Sequence, residues 1–372
     1  IRGEFLAEPY PRFEAALPNE AALTECIRRG ILGLQERIGQ AVGRKLRGTH
    51  AKGVCANGKF EVVDQKSIAT FLFLDALFAP QGRSAAERLM GDNSDATAVE
   101  TAFSQLPVGL YGNMASYPAK IRFANAASTI QSDLAPDVRA MSVGVELPED
   151  PRFGGVRRQD FVMNNHPNFP IKNALAFAVV MKGSALGRDA LSPPEQALFD
   201  EAVRLGEAQK APGTTSFLNM NFYSGTSYLH GENHAVKYRF RKALEVPGFQ
   251  AGENGLADHV KSVLSGNWPR PKYIFELQFL NEARFNAAAG AALPASHWVE
   301  DASLVWNEDL SPFIPVAVLT LESIVSDEVC EATSFSVTQN SLPEHRGLGS
   351  INRARSAAES ASAAARGANP SR

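Results

Sequence analysis

The 372-residue chain is 44% hydrophobic and 21% charged, proportions of a globular protein able to bury a large core. Its net charge of -3 leaves no basic field for nucleic acid and no polybasic patch for a membrane surface. No apolar run is long enough to span a bilayer. The cysteines, Cys26, Cys55 and Cys330, are odd in number and form no CxxC pair, which argues against a disulfide framework or a zinc site and predicts free thiols in a reducing cytoplasm.

In chain order, residues 1–18 read as an N-terminal arm. Residues 19–47 follow with Ala22, Leu23, Cys26, Ile27, Ile31, Leu32 and Leu34 near helical spacing, Asn19 and Glu20 at the start and Gly48 as a stop. Short β-rich runs come next at 59–65, 119–128 and 138–147, with 68–78 ambiguous between strand and buried helix. A helix at 191–209 is announced by Ser192 as cap and by Pro193 and Pro194 in its first turn. Later strands are expected at 221–230, 234–243, 272–280 and 313–323, with a helix at 258–266 and a hairpin turn at Gly231-Glu232-Asn233. About eight strands with helices inserted and appended describe an α+β barrel rather than alternating βαβ units. The last residues are almost all Ala, Ser and Arg. Composition alone reads them as a low-complexity tail, whereas Ala is also the strongest helix former.

Three stretches carry chemistry. In Arg47-Gly-Thr-His50-Ala-Lys-Gly, a histidine at a helix-to-strand junction has a pKa suited to proton transfer near neutrality. In Phe161-Val-Met-Asn164-Asn165-His166-Pro167, an amide ends a strand where it can orient a small polar ligand. In Ile121-Arg122-Phe123, an arginine inside an apolar strand needs an anionic partner. Each alone has a plain structural reading: a core histidine, a turn, a buried ion pair. His230 and His234, four apart, are read as turn-flanking rather than metal-binding, His345 as structural, and Cys55 as a core residue.

Together and in this order the stretches resemble the catalase family. Arg47 and His50 fit its Arg-x-x-His-Ala-Lys-Gly motif, followed by Gly58-Lys-Phe60-Glu-Val62. Ile121-Arg122-Phe123, Asp137-Val-Arg139, Asn164-Asn165-His166-Pro167 and Phe177 then follow at similar spacing, and Val305-Trp306 and 313–319 are later echoes. The short length, with Leu342-Pro-Glu-His-Arg346 and Ile351-Asn-Arg-Ala-Arg355, looks like the minimal catalase-related branch.

The resemblance implies an antiparallel eight-stranded barrel around haem b, with flanking helices and a C-terminal helix on the proximal side of the iron. It makes residues 19–372 one haem domain, with its helix at 19–47, barrel at 50–325 and proximal helix at about 350–366. It gives Arg47, Arg122 and Arg366 to the haem carboxylates, Phe177 to the ring face, and His50 and Asn164 to a bound peroxide. It also implies an iron-dependent oxidoreductase, a peroxidase or weak catalase, that takes hydrogen peroxide or an organic hydroperoxide and forms homo-oligomers.

Two departures stand out. The proximal motif of the family is Arg-x-x-x-Tyr with a further Arg seven residues on; here Arg355 and Arg366 keep the register and Glu359 stands in place of the tyrosine. Glu359 either ligates the iron directly, or falls short and leaves water or an open position, or lies on a haem-free homologue. Thr49 replaces an apolar residue, as in the catalase-related allene oxide synthases, and Ala124 replaces a serine. These changes keep two alternatives in view: a haem enzyme that rearranges or oxygenates a lipid or other organic substrate, and a non-enzymatic haem-binding protein.

Overall fold

The computed structural model describes residues 9–64 and 105–368; the ambiguous run at 68–78 lies outside them. The strands are β1 (Gly53–Val62), β2 (Ser116–Asn125), β3 (Arg139–Glu146), β4 (Arg158–Asn164), β5 (Phe222–Tyr223), β6 (Tyr228–His230), β7 (His234–Lys242), β8 (Lys272–Phe279) and β9 (Phe313–Ile324). Their order is β5-β4-β3-β2-β1-β9-β8-β7-β6, every pair antiparallel, and β5 also pairs with β7. That last pairing closes an eight-stranded antiparallel barrel, the expected α+β architecture with flanking helices, and leaves β6 as a short arm on β7. His230 faces His234 across the predicted hairpin. The run expected as one strand at 221–230 is split into β5 and β6 because Gly225 turns the chain with φ 65°.

Period-2 patterning decides what faces inward. Ile121 and Phe123 of β2, Met141 and Val143 of β3, and Phe161 and Met163 of β4 enter the barrel core. There they meet Phe60, Tyr238, Phe240 and Phe275, with Phe161 and Phe240 rings 4.8 and 4.7 Å from that of Phe275. Fully burying each such ring stabilises the fold by roughly 1.5–3 kcal/mol. The barrel lumen is therefore filled with side chains. The intervening residues, Arg122, Ala124, Ala140, Ser142, Val162 and Asn164, point to the other face of the same three strands.

The helices are α1 (Glu20–Val42), α2 (Ala174–Leu186), α3 (Pro193–Ala208), α4 (Gly255–Ser265), α5 (Glu282–Ala289), α6 (Ala295–Glu300), α7 (Asp327–Ala332) and α8 (Ser350–Arg366). The first begins at Asn19 as expected but ends five residues earlier than the sequence suggested, because Gly43 takes φ 70° and stops it. Helix α2 starts where the Asn173 side chain accepts from the Ala176 amide, and it is apolar on nearly all sides because it is buried between neighbours. Helix α3 has the predicted start, with a capping box between Ser192 and Glu195.

The Ala- and Ser-rich C-terminus is helix α8, not a loose tail. Its small side chains let Ala354 and Ala358 pack against α1 and α2. The anchor is Arg353, which is 1% exposed; it bonds Glu20 at 2.5 Å and Glu300 at 3.1 Å and also pairs with Glu14.

The cysteine expectation is overturned. Cys55 of β1 and Cys330 of α7 form a disulfide with Cα atoms 5.4 Å apart, and only Cys26 is free. Spacing could not reveal this pairing, since 275 residues separate the partners. The argument from unpaired thiols to a reducing compartment falls with it. Among the described residues, no helix is long and apolar enough to cross a membrane.

Candidate functional site

A cavity of about 390 Å³ lies between the outer face of β2–β4 and helices α1, α2 and α8. It is thus beside the barrel rather than in its lumen. Arg47, Thr49, His50, Arg122, Asn164, Phe177, Arg355, Glu359 and Arg366 all line it, so every site residue singled out in the sequence meets in one place. The rest of the lining is mainly apolar, with Ile31, Ala124, Val162, Ile171 and Met181 among it.

The junction after α1 positions His50. Its backbone has φ 58°, a left-handed conformation that an L-residue rarely adopts outside sites where the surroundings impose it. Both backbone groups of His50 are held here: Arg122 donates from Nη2 to its carbonyl at 2.8 Å, and its amide donates to the Ala126 carbonyl at 3.4 Å. Burial, reinforced by the charges of Arg122, Arg355 and Arg47, pushes the His50 imidazole down to about 3, so it is neutral at physiological pH.

Asn164 ends β4. Its Oδ1 accepts from the His166 amide at 2.8 Å, which leaves the amide NH2 as the group to present to the cavity. Gly225 allows this approach, because a Cβ there would come within 3.2 Å of Asn164 Nδ2.

On the helical side, Arg355 Nε lies 3.3 Å from Glu359 Oε1. Burial raises the Glu359 carboxyl above its ordinary range and Arg355 opposes the shift. Three more arginines converge at the cavity edge. Burial depresses all three, and mutual repulsion adds to it at Arg122 and Arg366, taking Arg366 to about 10. Glu331 is their counter-charge, 2.9 Å from Arg47 and 3.8 Å from Arg122. No local spacing announced Glu331; it lies 284 residues from Arg47.

A buried cluster of cations that lacks full compensation is costly unless an anion completes it. Nε of Arg122, Nε of Arg366, Nδ1 of His50 and Oε2 of Glu359 are buried with no hydrogen-bond partner among the described residues. An apolar slot with cations at one edge, a neutral imidazole and amide on the barrel side, and a carboxylate on the helical side fits a flat dicarboxylate such as haem.

His230, His345 and Arg139 lie outside this cavity. His230 Nε2 bonds the Gln105 carbonyl at 2.7 Å, and His345 Nε2 accepts from the Leu110 amide at 3.2 Å. Arg139 is fully buried and holds Asn125 Oδ1 at 2.7 Å. Among the described residues, no group of three or more His, Cys, Asp or Glu side chains is arranged to hold a metal ion.

Solved structures share this arrangement of barrel and helices. Catalase A from Saccharomyces cerevisiae aligns with a TM-score of 0.58 and 16% identity, over 98% of this chain and 68% of its own. A fungal catalase aligns at 0.55 and 16% over 88% of this chain, and a bacterial catalase at 0.56 and 14% over 90%. The fold is catalase-like. At these identities the likeness concerns the fold alone, and the chain spans only 60% of the length of the latter two catalases. No protein-family model and no curated protein sequence matches the chain. Within the catalase-like frame, the cavity is bounded by the barrel wall on one side and the C-terminal helix on the other.

Proposed function

We propose that the protein is a haem-dependent oxidoreductase that activates hydrogen peroxide or an organic hydroperoxide, acting as a peroxidase or weak catalase. The observation that carries this reading is the convergence of His50, Asn164, the arginine cluster and Glu359 on one apolar cavity. Arg47, Arg122 and Arg366 would hold the haem carboxylates through charge-assisted bonds. Phe177 would pack on the ring. Glu359 would face the iron from the helix, with Arg355 favouring its anionic form. When bound, haem iron supplies a coordination position for peroxide oxygen and the redox chemistry.

The chain's own contribution is proton handling and orientation. The neutral His50 imidazole is free to accept the proton of the peroxide and to return it to the departing oxygen. Its depressed pKa keeps it unprotonated down to about pH 3 and makes it a weak base. The Asn164 amide would donate to the peroxide and hold it over the iron. A Glu359 carboxylate would be a weaker donor to iron than the phenolate of the family it resembles, which disfavours rapid dismutation. Thr49, next to His50, and Ala124 both line the cavity, and a hydroxyl beside His50 supports the second reading, rearrangement of a lipid hydroperoxide.

The test is turnover of the haem-loaded protein with peroxide and a reducing donor. Donor oxidation should exceed dioxygen release, and His50→Ala should lower it by roughly 10²–10⁴-fold. Undiminished peroxide reactivity in His50→Ala would favour a haem-binding protein without catalysis. Turnover of a lipid hydroperoxide with no donor would favour the second reading.

A further inference from the structure

We infer that Glu331, carried on a helix latched to the barrel by the Cys55–Cys330 disulfide, is an internal carboxylate that competes with a porphyrin's carboxylates for the arginine cluster. The inference rests on the haem reading above and adds a residue that sets how tightly the ligand is held.

Arg47 is already engaged by α7 and the turn after it. Its Nη1 donates to Glu331 Oε2 at 2.9 Å, and its Nη2 donates to the carbonyls of Cys330, at 3.5 Å, and Thr333. The other oxygen of Glu331 lies 3.8 Å from Arg122 Nη2. One side chain therefore bridges two of the four arginines that line the cavity. The Glu331 side chain is 26% exposed while those of Arg47 and Arg122 are 12% and 4% exposed, so the carboxylate closes the cluster from its outer side.

The helix that carries it has six residues and little packing of its own. Two links to β1 fix it: the disulfide at Cys330 and the Val325 amide donating to the Cys55 carbonyl at 3.1 Å. A ligand carboxylate that reaches Arg47 and Arg122 enters the space beside a like charge. Glu331 must then share its donors or withdraw, and withdrawal means moving α7 against a covalent link. Like charges brought together in a partly buried site weaken binding.

The test is titration of the haem-free full-length protein with metal-free protoporphyrin, followed by porphyrin fluorescence, with its dimethyl ester as the uncharged control. Glu331→Gln should lower the Kd for the dicarboxylate about tenfold, the size expected for one partly screened like charge, and leave the ester's unchanged. Glu331→Asp, which retracts the carboxylate by one methylene, should shift it the same way by less. Replacing both cysteines (Cys55→Ser with Cys330→Ser) should also tighten the dicarboxylate and add nothing on top of Glu331→Gln. Equal or weaker dicarboxylate binding by both Glu331 variants, with unchanged circular dichroism, would overturn the inference; so would equal tightening of the ester. If the unaltered protein binds neither porphyrin, the haem reading itself fails.

Discussion

His50 offers a measurement of its environment that needs no haem. Burial beside three arginines holds its folded-state pKa near 3, against 6.5 for an ordinary histidine. The folded protein therefore keeps His50 neutral where the unfolded chain takes up a proton. A depressed pKa contributes stability that is present above 6.5 and lost as pH falls toward 3. At about pH 5 the unfolded histidine lies about 1.5 units below its midpoint, which at about 1.4 kcal/mol per unit favours unfolding by about 2 kcal/mol relative to pH 7. Urea unfolding of the unaltered protein and of His50→Gln, followed by fluorescence of Trp268, Trp298 and Trp306, isolates that contribution. His230 and His345 are also depressed by burial, to about 4 and about 3, but occur in both proteins and cancel. The unaltered protein should lose about 2 kcal/mol more than the variant between those two pH values. A difference between the two proteins that does not change with pH would refute the placement of His50 as a buried neutral base.

Arg353→Met should destabilise the fold by about 3 kcal/mol, because Glu14 and Glu300 lose their shared buried partner while Arg346 still neutralises Glu14. A drop of the urea midpoint with an unchanged slope is the expected observation, and a loss below ~1 kcal/mol would show that α8 is held by packing instead. Joint replacement of Cys55 and Cys330 by serine opens a link across 275 residues and should cost on the order of 4–5 kcal/mol in the same assay. Equal stability under oxidising conditions would mean that the bond does not form in solution.

Much of the barrel was legible because its strands are short β-rich runs bounded by Gly, Pro, Asn and Asp. Arg122 stood out as an arginine inside an apolar strand and Asn164 as part of a polar cluster ending one, but each alone had a plain structural reading, and only their order and spacing in the family resemblance assigned them to a site. Helix α8 was legible only through register: Arg355 and Arg366 bracket Glu359 at the family spacing, while composition pointed to a disordered tail. What the sequence hid is long-range. Cys55 with Cys330, and Arg47 with Glu331, are pairs brought together by the pairing of β1 with β9, and neither member carries a local signature. The left-handed backbone of His50 was hidden too, since the residue is not a glycine and its carbonyl is held by Arg122 from another strand. The early end of α1 is different: Gly43 was visible, but Gly48 competed with it as the stop.

The proposed role of this cavity depends on Glu359 facing the iron of a bound haem. The most direct test is the optical spectrum of the haem-loaded protein beside that of Glu359→Tyr. The two spectra should differ, the tyrosine variant moving toward an iron–phenolate spectrum. Coincident spectra would contradict it by showing that residue 359 does not face the iron.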